Sequence, residues 1–405
     1  MASMTLQRPD TADDGVLRDI VQEVVVRLSY PVRFTHAILD PANATLRDAV
    51  DAPARMLVVL DAGLLAAQPS IASDALAYCR AHADSLELVA APLVVPGGEA
   101  IKNDGGSVDA IRAAIDAHRI DRHAYVVAIG GGAVLDAAGY AAATAHRGVR
   151  LIRVPSTVLS QGDSAVGVKN GVNRFGKKNF VGTFAAPYAV LNDLDLLLTL
   201  SDRDWRSGIA EAVKVALIRD AAFFHWIEEH ANALRGRSAA AMEQLVYRSA
   251  ELHLRHIASC GDPFEQGSAR PLDFGHWSAH KLEALTGHEL RHGEAVAIGV
   301  AQDCAYACLA GALDPQDLWR VIDVLERVGL PIWHPAMAGP GAGAGARPPL
   351  LDGLEEFREH LGGRLTITLI DGVGSAFDVH ELDENLVLEA TTLLRHQSQR
   401  EVLTA

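Results

Sequence analysis

Between residues 162 and 179 the chain reads GDSAVGVKNGVNRFGKKN. Lys169, Arg174, Lys177 and Lys178 stand there beside a single carboxylate, Asp163, in a chain with 51 acidic and 36 basic residues. Donors gathered in a glycine-broken loop suit a phosphate or several hydroxyls, and Lys169, Lys178 and Asn179 are the candidates. Arg147, Arg150 and Arg153 lie just upstream. For Arg150, Arg153, Arg174 and Lys177 the expectation is a solvated basic surface. Asp163, surrounded by cations, is expected to be ionised and available as an acceptor or a base.

A second set has the character of a metal site. SGIAEAVKVALI (207–218) places Glu211 and Lys214 on one helical face. LDFGHWSAH (272–280) sets His276 and His280 one turn apart, and RHGEAVAIG (291–299) brings His292 and Glu294. One carboxylate, two imidazoles and an open position describe a catalytic zinc site rather than a closed structural one. With 17 histidines in the chain, a chance pair of unliganded histidines is the competing reading. The glycines directly beside His276 and His292 favour the metal.

A third set could receive a nucleotide. Gly130, Gly131 and Gly132 follow an apolar strand and open a helix that carries Asp136 and Gly139. Glycines let a backbone approach a pyrophosphate, and a helix N-terminus offers it unpaired N–H groups. The spacing is not G-x-G-x-x-G, so a plain tight turn explains it as well as a dinucleotide does. Asp61 ends an early strand where a ribose hydroxyl could be gripped, and PGGEAIK (96–102) places Glu99 and Lys102 one turn apart.

These residues need elements to position them. RMLVVLD (55–61), ELVAAPLVVP (87–96), AYVVAIGGG (124–132), VRLIRVP (149–155) and YAVLNDLD (188–195) read as strands alternating with helix-like stretches. Ser107 is the expected N-cap of a helix with Val108, Ile111 and Ile115 on one face. The pattern predicts a mostly parallel sheet covered by helices on both faces. Beyond about residue 203, alanine- and leucine-rich segments predict helices, with RLTITLI (364–370) as the only strand. The expected class is therefore α/β plus all-α, in two domains: residues 1–203 and residues 204–405.

Composition narrows the function. A net charge of −15 speaks against nucleic acid or an acidic membrane surface as a general partner. No signal pattern opens the chain and no apolar run is long enough to span a bilayer, so a cytoplasmic location is expected. Cys79, Cys260, Cys304 and Cys308 lack metal or redox spacing and are expected to be free, buried thiols. PAMAGPGAGAGARPP (335–349) is low-complexity and is expected to be a mobile loop outside the chemistry.

Together these stretches resemble the sugar phosphate cyclases, the family of 3-dehydroquinate synthase, with the EboD-type subgroup as the nearest match. GGGAVLDAAGYAAATAHRG, VPSTVLSQGDSAVGVKNGVN, GKKNFVGTF, GIAEAVKVALI, FGHWSAH and HGEAVAIG follow the family's order and approximate spacing. The resemblance implies a Rossmann-like N-terminal NAD-binding domain, a helical C-terminal domain holding zinc or cobalt, a sugar phosphate substrate and a homodimer. By position it implies Glu211, His276 and His292 as metal ligands and His280 as a histidine on the substrate side. NAD would meet Asp61, Glu99, Lys102, Gly131, Gly132, Asp136, Ser156, Thr157, Lys178 and Thr199. Substrate would meet Asp163, Lys169, Asn179 and Lys214, with Arg147 reaching phosphate across the dimer. The implied reaction is transient oxidation of a seven-carbon ketose phosphate, phosphate elimination, reduction and an intramolecular aldol closure.

The chain departs from 3-dehydroquinate synthases where a substrate carboxylate is held. Asp273 replaces their asparagine and Trp277 their threonine; Arg255 stands at their lysine, and their arginine aligns one residue before Arg270. Their late Asp-Lys-Lys becomes Phe357-Arg358-Glu359, leaving His360 or Arg364 as substitutes for binding phosphate. Arg255 and Arg270 could still pair with an acid, but Asp273 would repel one and accept a hydroxyl. One alternative is a cyclase similar to 2-epi-5-epi-valiolone synthase, using sedoheptulose 7-phosphate. The others are a metal-dependent polyol dehydrogenase with the same two-part plan and a catalytically silent binding protein.

Overall fold

The structure, a computed structural model, describes residues 20–103, 105–175, 177–259, 264, 271–338 and 347–404. Its strands in chain order are β1 (Val32–Thr35), β2 (Ala54–Asp61), β3 (Leu86–Leu88), β4 (Leu93–Val95), β5 (Tyr125–Gly130), β6 (Arg150–Pro155), β7 (Lys169–Arg174), β8 (Lys177–Phe184), β9 (Ala189–Asp193), β10 (Ile367–Gly372) and β11 (Ser375–Val379). Strands β2, β5 and β9 are buried along nearly their whole length, which a sheet allows only when both faces are covered. They lie in a seven-stranded parallel sheet of order β1-β9-β6-β5-β2-β3, with β4 also on β2.

Helices α1 (Ala62–Ala67), α2 (Ile71–Ala81), α3 (Ala100–Asn103), α4 (Gly106–Ala117) and α5 (Gly132–Thr144) connect these strands. Val126 and Ala128 pack toward Ile111, Ile115 and Ala137 on one face of the sheet. Val127 and Ile129 pack toward Ile71 and Tyr78 on the other. The remaining helices are α6 (Asp202–Ser207), α7 (Ile209–Arg219), α8 (Ala221–Arg235), α9 (Ala239–Ser259), α10 (His276–Leu285), α11 (His292–Leu309), α12 (Pro315–Val328), α13 (Asp352–His360) and α14 (Glu384–Thr404). They share one core in which Trp205, Phe223, Phe224, Ile298 and Leu325 are fully enclosed. Among the described residues no helix is long and apolar enough to cross a membrane.

The sheet and helices are as expected in class, and several details differ. Residues 87–96 form two short strands, because Pro92 interrupts the run and has no N–H for a ladder. β1 lacks a sequence signal, being only four residues long and half-buried. Gly105, not Ser107, precedes the first turn of α4, and Ser107 lies buried inside that turn. RLTITLI has a partner strand, since β10 pairs antiparallel with β11. Cys79 and Cys304 are buried free thiols and Cys308 is partly exposed, whereas Cys260 lies outside the described residues. The low-complexity stretch falls largely outside them too, at 339–346.

The basic segment also differs. It is a hairpin, β7 pairing antiparallel with β8, with Gly171 opposite Gly182. Arg153 explains its placement. The side chain is 1% exposed, against the expected solvated surface. Its guanidinium donates to the carbonyls of Ala165, Gly167 and Lys169 and to Asn170 Oδ1, at 2.6–3.1 Å. A rigid five-donor fork suits such a set of diverging acceptors. The chain after β6 is thereby wrapped around a buried cation, and Gly139 on α5 admits Asn170 so closely that a Cβ there would lie 1.8 Å from its Oδ1. Arg153→Met strands those carbonyls, so chemical denaturation should show a loss of about 3 kcal/mol or more.

Candidate active site

The starts of three helices converge. α7 supplies Glu211 and Lys214 one turn apart, while His276 and His292 are the first residues of α10 and α11. Gly275, at φ +76°, turns the chain into α10. Its carbonyl oxygen would lie 1.9 Å from a Cβ at Gly299, so α11 passes against that turn because neither residue has a side chain. Asp303 anchors the turn from beneath, accepting from Gly275 N at 3.0 Å and Trp277 Nε1 at 2.8 Å. Burial pushes the Asp303 carboxyl up to about 7.

Glu211, His276 and His292 present ligand atoms that all lie within 4.8 Å of one another. His276 Nε2 is 3.5 Å and His292 Nε2 3.3 Å from Glu211 Oε1. Each imidazole is turned by its other nitrogen: His276 Nδ1 is 3.0 Å from the Phe274 carbonyl and His292 Nδ1 3.2 Å from Glu283 Oε2. Each of those acceptors suits an Nδ1–H, the tautomer in which Nε2 can bind a cation. Both Glu211 oxygens are buried without a hydrogen bond of good geometry, although Lys214 Nζ stands 2.5 Å from Oε2. A divalent cation fits this donor set.

Charge is tightly balanced here. Burial pushes the Glu211 carboxyl up, but Lys214 and the two imidazoles overcome it and hold it well below the usual range. Burial works against the Lys214 ammonium, and Glu211 and Asp163 outweigh it. Burial and neighbouring His276 keep His280 neutral, with its ring 5.3 Å from that of His276. Asp163 is raised by burial and lowered by more through His253, whose Nδ1 is 2.7 Å from its Oδ1.

A second cluster lies at the carboxyl ends of β2 and β5. Asp61 Oδ1 accepts from Gly63 N at 2.7 Å and Oδ2 from Gly131 N at 3.1 Å, fixing the glycine turn that opens α5. Thr157 stands against Gly131, and Ser156 N donates to the Gly130 carbonyl at 2.9 Å. A Cβ on Gly132 would lie 2.7 Å from Ser164 Oγ, a buried hydroxyl with no hydrogen-bond partner. An orphaned hydroxyl beside a helix N-terminus fits a phosphate group. Lys102, 3% exposed, donates to Asp136 Oδ2 at 2.8 Å and to Asn179 Oδ1. Glu99 accepts from Asn173 Nδ2 at 2.8 Å. Thr199 closes a short turn by donating to the Leu196 carbonyl.

Residues 92–207 match the model described as 3-dehydroquinate synthase N-terminal, and residues 208–342 the model for its C-terminal part. The chain belongs to the 3-dehydroquinate synthase family. It is thereby a sugar phosphate cyclase by family and a carbon–oxygen lyase, and the dehydrogenase and silent-protein readings give way. This cyclase is 34% identical to a 2-epi-5-epi-valiolone synthase of Streptomyces glaucescens over 88% of each chain. It is 38% identical to a 3-dehydroquinate synthase of Halorhodospira halophila over 78% of this chain and 89% of that one. Among solved structures it resembles a 2-epi-5-epi-valiolone synthase of Streptomyces hygroscopicus with NAD+ and Zn2+ bound, with 30% identity, TM-score 0.83 and coverage of 93% and 99%.

Some residues named from the cyclase sequence do not join these clusters. Arg255 is 69% exposed and pairs with Glu251 one turn back on α9. Arg147 is exposed at the far end of β6 from Ser156. Arg270 lies outside the described residues. Asp273, by contrast, is half-buried just ahead of His276 and within the field of Lys214, and Lys169 opens β7 with an exposed side chain. His253 and Glu283 were missed. The third residue after His280 could have drawn attention to Glu283, since it falls on the same helical face. It accepts from Lys178 Nζ at 2.8 and 3.1 Å as well as facing His292, so it ties β8 to a candidate ligand. Glu283→Gln should weaken Zn2+ binding by about 10- to 100-fold in a chelator competition titration while leaving the fold intact.

Proposed function

We propose that the enzyme is an NAD- and zinc- or cobalt-dependent cyclase acting on sedoheptulose 7-phosphate, forming a carbocycle with loss of phosphate. The reading assigns NAD to residues 1–203 and the cation to residues 204–405, with the substrate between them. Glu211, His276 and His292 would hold the cation, and the Asp61–Gly131–Gly132–Thr157–Ser164 pocket the dinucleotide phosphates. When bound, the dinucleotide supplies reversible hydride exchange and the cation Lewis acidity.

The chain's own residues supply the rest. Lys169 and Asn179 bind the sugar phosphate through charge and hydrogen bonds. Lys214, kept charged by Glu211 and Asp163, faces the oxygen that carries developing negative charge. Neutral His280 can hold or pass a proton on the substrate side. Arg147 is too far along β6 to serve its own site and would reach phosphate in a second copy. A homodimer also accounts for the exposed aliphatic run of Val24, Val25 and Val26 ahead of edge strand β1.

The charge around Lys214 carries the choice of substrate. Asp273 adds a carboxylate to the field already set by Glu211 and Asp163. Arg255, which could have answered a substrate acid, is turned to solvent. A site so supplied with carboxylates repels another and welcomes hydroxyls. The two 2-epi-5-epi-valiolone synthases among the relatives support the same reading.

Phosphate release, with NAD and Zn2+ present, separates the candidates. Sedoheptulose 7-phosphate should be turned over without net NADH. 3-Deoxy-arabino-heptulosonate 7-phosphate should have a kcat/KM lower by about 100-fold, the size of effect that one mispaired charge produces. The reverse preference would overturn the substrate assignment, and release from neither would overturn the cyclase reading itself.

A further inference from the structure

We infer that His253 is a positioning residue of this site: its Nδ1–H holds Asp163 Oδ1, so that Oδ2 is turned to accept a substrate hydroxyl. The inference rests on the proposed cyclase reading and deepens it.

Helix register is the first ground. α9 packs along the segment that carries Asp163, and the faces in contact are defined by small groups. A Cβ on Gly162 would lie 3.2 Å from Ser249 Cβ and Oγ, and one on Gly167 would lie 3.4 Å from His253 Nε2 and 3.8 Å from Ile257 Cδ1. Ser249, His253 and Ile257 recur every four residues, one above the other on the inward face. Arg255 is two residues from His253, about 200° round the helix, and is exposed accordingly. The residue α9 offers to the site is therefore an imidazole.

The second ground is the contact itself. His253 and Asp163 side chains are 14% and 22% exposed, and their 2.7 Å separation is that of a charge-assisted hydrogen bond. Asp163 also lies within electrostatic reach of Glu211 and Lys214, both part of the candidate cation site. A carboxylate on a short side chain turns freely about χ2 unless one oxygen is tied. With Oδ1 tied from α9, the other oxygen has a fixed direction, as an acceptor for a polyol must. An imidazole serves this end without bringing the permanent cation that would favour a substrate carboxylate.

Two variants separate this role from simple packing. Asparagine puts Nδ2 where the imidazole Nδ1 stood and keeps the N–H donor, whereas alanine removes it. With sedoheptulose 7-phosphate, His253→Ala should lose about 10- to 100-fold in kcat/KM, mostly in kcat, with zinc content, NAD affinity and melting temperature close to wild type. His253→Asn should recover to within about threefold of wild type. An alanine variant as active as wild type, an asparagine variant as impaired as alanine, or a loss that follows loss of zinc would each overturn the role. Wild-type enzyme inert toward both heptulose phosphates would instead bring down the functional reading, and this inference with it.

Discussion

A carboxylate and an ammonium, Glu211 and Lys214, are sealed in the helical core at 2% and 3% exposure. Removing such charges from water costs several kcal/mol per ion, and their mutual attraction offsets this only with further partners in good geometry. The partners come from both sides: imidazoles at the starts of α10 and α11, and the Asp163 carboxylate beyond Lys214. Everything close to this pair is arranged to bring those groups in. Gly275 and Gly299 allow two helices to touch, and Asp303 ties down the turn between His276 and the core. The Glu211 oxygens face Lys214 on one side and two imidazoles on the other, a donor set that a divalent cation fits.

The same logic of buried charge joins the sheet to the helices. Arg153 sits inside the loop after β6 and collects the carbonyls that would otherwise face an apolar interior. That loop ends in the β7–β8 hairpin, from which Lys178 reaches Glu283 and, through it, His292. Asn179 on the same hairpin meets Lys102, itself held by Asp136 on α5. A strand pair built from glycine, asparagine and lysine thus bonds to Lys102 and Glu99 on one side and to Glu283, the partner of a candidate metal ligand, on the other. A sugar held there would be gripped by residues already oriented by their neighbours, which is how binding geometry becomes rate.

How much of this was legible in the sequence follows from distance along the chain. Glu211 and Lys214 declare themselves by helical spacing, and His276 and His292 by the glycines that let their helices begin abruptly. The parallel sheet is equally plain, because strands such as β2 and β5 are apolar on both faces. Arg153 is the opposite case. Nothing in VRLIRVP distinguishes a buried guanidinium from a surface one, since its acceptors are carbonyls that sequence does not mark. His253 was hidden by helix phase: Arg255, two residues on, suited the chemistry but faces the other way. Glu283 depends on Lys178, 105 residues distant. The hairpin looks like a loop in sequence because glycine and asparagine obscure the two-residue alternation of a strand.

Three helix starts, those of α7, α10 and α11, build one cation site. Anomalous scattering at the zinc edge, from crystals of the zinc-loaded enzyme, tests it most directly. The expected result is a single strong peak bonded by a Glu211 carboxylate oxygen and by Nε2 of both His276 and His292. A peak elsewhere in the molecule, or one beside the two histidines that leaves Glu211 unbonded, would contradict this site.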